Sequence, residues 1–156
     1  MTIYYSAITI IVIVLLVIVF SFRWKAKVFD NNVILSAYLD FNQVPDVKLN
    51  HNYGSLLFKI QDANSEPKSF IIEKIKFNSA KILLRNFQNL YTNLPVPIEG
   101  IVLSVGVMKP EGVYLSEDDN YSVILSGFLM EENEKKTKFK KKLHVRVVPN
   151  FNAVNC

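Results

Sequence analysis

Phe139-Lys140-Lys141-Lys142-Leu143-His144-Val145-Arg146-Val147 carries the clearest periodicity in the chain: Phe139, Leu143, Val145 and Val147 are apolar and alternate with Lys140, Lys142, His144 and Arg146. Successive side chains of a strand point to opposite faces, so a period of two marks a strand with one face buried and one in water. Upstream, short apolar runs separated by turn signals read the same way. They are Val33–Leu39, Ser55–Ile60, Phe70–Phe77, Ile101–Val107 and Tyr121–Leu129. Pro95 and Pro97, two prolines in three residues, exclude a central strand at Pro95–Gly100.

One segment resists this pattern. Ala80–Tyr91 has apolar residues at Leu83, Phe87, Leu90 and Tyr91, which is helical spacing. It reads either as a short helix or as a strand ending at Arg85-Asn86 followed by a loop. Several short strands with one doubtful helix predict an all-β domain, an antiparallel β-sandwich of immunoglobulin-like kind or a jelly-roll or barrel.

The amino end is of another kind. Thr2 to Phe22 contains no charged side chain, and Ile8–Phe20 is almost purely aliphatic, ending at Arg23-Trp24-Lys25-Ala26-Lys27. A spanning helix needs roughly 20 apolar residues at about 1.5 Å rise each to cross about 30 Å of hydrocarbon, and Ile3–Phe22 supplies them. A cleaved signal would show a basic start, a shorter apolar core and small residues at the cleavage site, none of which is present. One N-terminal transmembrane α-helix is therefore expected, with Arg23, Trp24, Lys25 and Lys27 flanking the membrane and Tyr4 and Tyr5 at the opposite interface. In lipid every backbone group must bond internally, so a helix overrides the strand preference of the β-branched residues.

Lys and Arg beside a span tend to stay on the cytoplasmic side, and all three flanking cations follow the span. The domain is expected on the cytoplasmic or nucleoplasmic side of a single-pass membrane protein. Cys156 is the single cysteine, so no internal disulfide can form. The sequon Asn120-Tyr121-Ser122 would be used only if the domain were lumenal. The expected organisation is a transmembrane anchor at 1–22, a basic juxtamembrane segment at 23–32, a β-sandwich domain at 33–149 and a C-terminal tail at 150–156.

No catalytic or metal signature stands out. His51 and His144 are far apart in sequence, the one cysteine supplies no zinc set, and five glycines include no phosphate loop. The chain is read as a non-enzyme without a cofactor. Glu117-Asp118-Asp119 and Glu131-Glu132-Asn133-Glu134 lack the spacing of a cation loop and read as solvated turns. The net charge of +4 does not imply nucleic acid, and no specific nucleic-acid contact is expected. The candidate interaction site is the basic patch Lys135, Lys136, Lys138, Lys140, Lys141, Lys142 and Arg146. It can meet anionic lipid headgroups, an acidic protein or a nuclear import receptor. It can equally be a set of edge-strand lysines that prevent sheet-to-sheet aggregation.

An uncharged amino end, an apolar span over Ile3–Phe22, the cations Arg23, Lys25 and Lys27 at its end and an all-β domain with one cysteine form a recognisable plan. It resembles the N-terminally anchored envelope proteins of large nuclear arthropod DNA viruses, namely the major envelope proteins of white spot syndrome virus and the baculovirus occlusion-derived virus envelope proteins. The resemblance implies a structural or entry-related virion envelope protein sorted to the host inner nuclear membrane. Its partners would be the lipid bilayer and other envelope or membrane proteins, with homo-oligomers possible in principle. The alternative is a cellular or archaeal anchored β-sandwich of adhesion or stator type, linking a surface assembly to the membrane.

Overall fold

The computed structural model describes residues 2–41, 51–62, 68–116 and 119–148, with the side chains of 2–7, 9, 22, 25, 26, 28, 51 and 62 excepted. One helix, α1 (Thr2–Asp30), leads into eight strands: β1 (Val33–Asp40), β2 (His51–Asp62), β3 (Ser69–Phe77), β4 (Leu83–Leu84), β5 (Leu90–Asn93), β6 (Ile101–Pro110), β7 (Tyr121–Met130) and β8 (Lys136–Val148). The strand expected from alternation, β8, and those expected from short apolar runs, β1, β2, β3, β6 and β7, are present. The protein is mostly β, and the tail at 150–156 lies outside the described residues.

The strands form one sheet in the order β4-β6-β2-β1-β8-β7-β3-β5. Ala37–Asp40 pairs with Val145–Val148 in parallel, whereas every other pair is antiparallel. The sheet is thus mixed, which corrects the purely antiparallel expectation. The reason is connectivity: β1 and β8 are the first and last strands, so no hairpin constrains their relative direction. Leu56, Phe58 and Ile60 of β2 share a single core with Phe70 and Ile72 of β3 and with Phe139 and Val145 of β8. The sheet therefore curls over its own apolar face. Each such side chain, taken fully out of water, contributes about 1.5–3 kcal/mol before entropy is counted.

Ala80–Tyr91 is not helical. Leu83 and Leu84 pair with Met108 and Val107, the Arg85 amide donates to the Gly106 carbonyl at 2.8 Å, and Asn86 turns the chain at φ 45°. The strand-and-loop alternative is the correct one. Of the four residues at helical spacing, Phe87 and Leu90 pack on the core whereas Leu83 and Tyr91 are exposed, so the spacing does not mark one buried face. Leu94–Gly100 lies outside the sheet, in keeping with its prolines.

Counted over the described residues, no helix is long and apolar enough to cross a membrane. The expected span Ile3–Phe22 falls partly outside them, because several of its side chains are not described. Within α1, Ile8 and each residue from Ile10 to Phe20 are between 48% and 78% exposed, so the helix is apolar on all sides.

Candidate functional site

The site begins where the helix meets the sheet. α1 continues without a break through Arg23, Trp24 and Lys27 to Asp30, and only Asn31-Asn32 separates it from β1. Phe29, in its last turn, is fully buried, edge-on to Phe70 at 6.3 Å and tilted against Phe139 at 4.5 Å. Beside it the Lys141 ammonium meets the Asp30 carboxylate at 2.5 Å. The basic segment at 23–32 thus ends in a side chain of the core. The signal, one phenylalanine after two lysines, is too short to be read as core without the fold.

Register locates the end of the helix along β8. Ala37 pairs with Val145, so carried back at equal rise along both strands Val33 stands level with Lys141. α1 packs mainly along β8 and hardly along β1, which puts its last turns beside the part of β8 that precedes the start of β1. From Phe29 back to Arg23 the helix falls about 9 Å, and from Phe139 back to Lys136 the strand falls about 10 Å. With α1 running along β8, the β7–β8 turn, Glu131–Lys135, would stand level with Arg23.

The seven cations of the basic patch divide by direction. Phe139, Leu143 and Val145 are buried, and Lys141 shares their parity, so it turns inward to Asp30. Lys136, Lys138, Lys140, Lys142 and Arg146 form an outward row with His144. Lys135 stands in the turn, 3.5 Å from Glu131. Lys138 also lies over the Phe128 ring at 5.8 Å. Of the other flanking residues, Arg23, Trp24 and Lys27 are exposed, whereas the Lys25 side chain lies outside the described residues.

β8 lies between β1 and β7 in the sheet order, but β1 pairs only with Val145–Val148, so among the described strands the lysine-bearing stretch Lys136–Lys142 pairs with β7 alone. The sheet also brings Lys74 and Lys76 to the same outer face, Lys76 opposite Ile124 opposite Lys142 and Lys74 opposite Ser126 opposite Lys140. Lys74-Ile75-Lys76 alternates legibly in the sequence, but placing it two strands from β8 requires the strand order. A bulge between Ile72 and Lys74 leaves both Glu73 and Lys74 exposed. There the strands approach so closely that a Cβ at Gly127 would collide with the Ile71 carbonyl.

The acidic turn residues pair within the domain: Glu132 meets Lys68 at 2.8 Å, and this hydrogen bond holds its carboxyl below the usual value. Glu131 also accepts from the Thr137 hydroxyl at 3.2 Å. Glu117 and Asp118 lie outside the described residues. At the far end of β7, the Tyr121 hydroxyl donates to Asp119, and burial with this carboxylate pushes the phenol up to about 12. The same bond lowers the Asp119 carboxyl. His144 is exposed, its Nδ1 3.1 Å from Asn120 Oδ1, and the Asn78 side chain accepts from the Ser122 amide at 2.8 Å. These contacts close a turn; they do not align a nucleophile with a base. Among the described residues no three His, Cys, Asp or Glu side chains are grouped to hold a metal.

No protein-family model matches the chain, and no curated protein matches it. Among solved structures it is similar to a FixG-related protein from Vibrio parahaemolyticus, with 14% identity over 73% of this chain and 96% of that one, at a TM-score of 0.31.

Proposed function

We propose that the chain is a non-enzymatic, single-span membrane protein whose β domain makes protein contacts, as a structural or entry-related component of a virion envelope. The observation that carries the anchor is the exposure of Ile8 and Ile10–Phe20 around the whole circumference of α1. A helix that is apolar all round needs an apolar surrounding on every side, and here nothing in the described chain covers it. Lipid supplies that surrounding. The virion setting is supported only by the shared plan of uncharged start, apolar run and following cations.

Within the all-β class we read the sheet as an immunoglobulin-like sandwich. The series β4-β6-β2-β1 and β8-β7-β3 follows the D-E-B-A and G-F-C orders of that fold, with β1 joining the halves. Such domains present sheet faces and end loops to other proteins, and the outward row of β8 is the most charged face described here. Because Phe29 is in the core, the domain would stand directly on the bilayer, its β7–β8 turn in the headgroup layer beside Arg23.

Alkaline carbonate extraction of membranes carrying the full chain tests this reading. The chain should stay in the membrane pellet, and deletion of Met1–Phe22 should move it to the soluble fraction. Release of the intact chain by carbonate would refute the anchor.

A further inference from the structure

We infer that the outer face of β8, β7 and β3 is a docking site for an acidic protein segment laid along β7. Lysines form two columns on this face, Lys138 and Lys142 on β8 and Lys74 and Lys76 on β3. Strands stand about 4.8 Å apart, so the columns are about 9.6 Å apart. Between them β7 presents Ile124, Ser126 and Phe128, each half-buried. Glu73 is the only acid on the outer faces of these three strands among the described residues. Lys140, between Lys138 and Lys142, already has an interaction within the chain.

A floor of apolar residues between cationic walls selects a ligand with both characters. Alternate side chains of an extended segment are about 6.8 Å apart, the spacing of successive outward residues on β8. Only every second side chain of the segment faces the sheet, so carboxylates at every fourth position would meet the lysine columns and apolar side chains at the inward positions between them would cover Ile124 and Phe128. Duplex nucleic acid offers the charge but no apolar edge for that floor.

The exclusion of lipid rests on the anchored reading above. If α1 spans the bilayer and β8 runs on in its line, β8 rises away from the membrane, with Lys142 about 20 Å and Arg146 about 34 Å beyond Lys136. The field of the headgroups decays over about 8 Å at physiological ionic strength. Lys136 alone is then close enough to feel it strongly. The upper lysines face a soluble partner.

The test uses the full chain in phosphatidylcholine nanodiscs, titrated by fluorescence anisotropy with a labelled peptide of the repeat Glu-Ser-Val-Ser, which turns Glu and Val to the same face. Binding should weaken about tenfold in Lys76→Glu/Lys142→Glu, and by less than about threefold in Lys81→Glu/Lys135→Glu, which carries the same charge change elsewhere. A milder pair, Lys74→Gln/Lys138→Gln, with its fold checked by circular dichroism, should weaken binding by about threefold or more. Equal weakening in the two reversal variants, or none in the milder pair, would overturn the proposal. Tighter binding of a duplex DNA oligomer than of the peptide would also overturn it, as would loss of peptide binding when phosphatidylserine is added to the chain's own disc. Elution of the chain apart from the disc would sink the anchor instead, and the titration on that free chain would still decide the face.

Discussion

Phe29 is the residue on which the junction turns. It fills the space between Phe70 and Phe139 with no exposed surface, so truncation leaves a cavity that the ends of two strands cannot close. Phe29→Ala should cost about 3–5 kcal/mol in denaturant unfolding of the full chain in detergent, whereas Val14→Ala, on exposed α1, should leave domain stability unchanged. The neighbouring Lys141–Asp30 pair is partly exposed, and its loss should cost less than about 1 kcal/mol. Tyr121 gives a pH signature. Its phenol holds its proton more tightly folded than unfolded, so its contribution is complete below pH 10 and is lost as pH rises through about 12. The stability advantage over Tyr121→Phe should therefore shrink between those values, in urea melts taken across the range. Asp119 has the opposite sense: its carboxyl, lowered by the Tyr121 hydroxyl, contributes above the ordinary value of 3.8, and that contribution is lost as pH falls below it.

At the scale of elements, what was legible followed local pattern. β8 announces itself because alternate apolar residues need no knowledge of neighbours, and the same holds for β3, β6 and β7. Ala80–Tyr91 is ambiguous in sequence because Leu83, Phe87, Leu90 and Tyr91 fall at helical spacing, although only Phe87 and Leu90 of these pack on the core. The direction of β1 against β8 depends on contacts about a hundred residues apart, which leave no local trace. The basic patch was found as a cluster, but its division into an outward row and an inward Lys141 follows from which side of β8 the core lies on, and Lys74 and Lys76 join it only through strand order. The end of α1 as a domain element has a direct consequence for truncation. Deletion of Met1–Phe22 should leave a domain with β-type circular dichroism, because Phe29 remains. Deletion of Met1–Asp30 removes Phe29 and should give a domain with a lowered melting temperature or an insoluble product; equal stability of the two truncations would show that the helix end is not part of the core.

The whole molecule is one continuous body: a helix apolar on its outside runs into the core of a curled sheet, with no linker between them. If α1 runs on along β8, that continuity brings the β7–β8 turn level with Arg23 and couples the end of the apolar run to the domain's orientation. The cations after the run lead us to expect the domain in the cytosol or nucleoplasm, so the exposed Asn120 should carry no glycan in a eukaryotic host, and a glycosidase-sensitive mass shift would reverse that orientation. The central claim, a spanning helix with the domain seated on the bilayer, is tested most directly by depth-dependent quenching. In a Cys156→Ser background, a fluorophore is attached to single cysteines at Val14, Asn133 and Glu111 of the chain in nanodiscs. Lipids spin-labelled in mid-chain should quench the Val14 probe, headgroup-labelled lipids should quench the Asn133 probe, and neither should quench the probe at Glu111, in the turn at the far end of β6. A Val14 probe quenched by aqueous iodide, or Asn133 and Glu111 probes quenched alike by headgroup labels, would contradict the account.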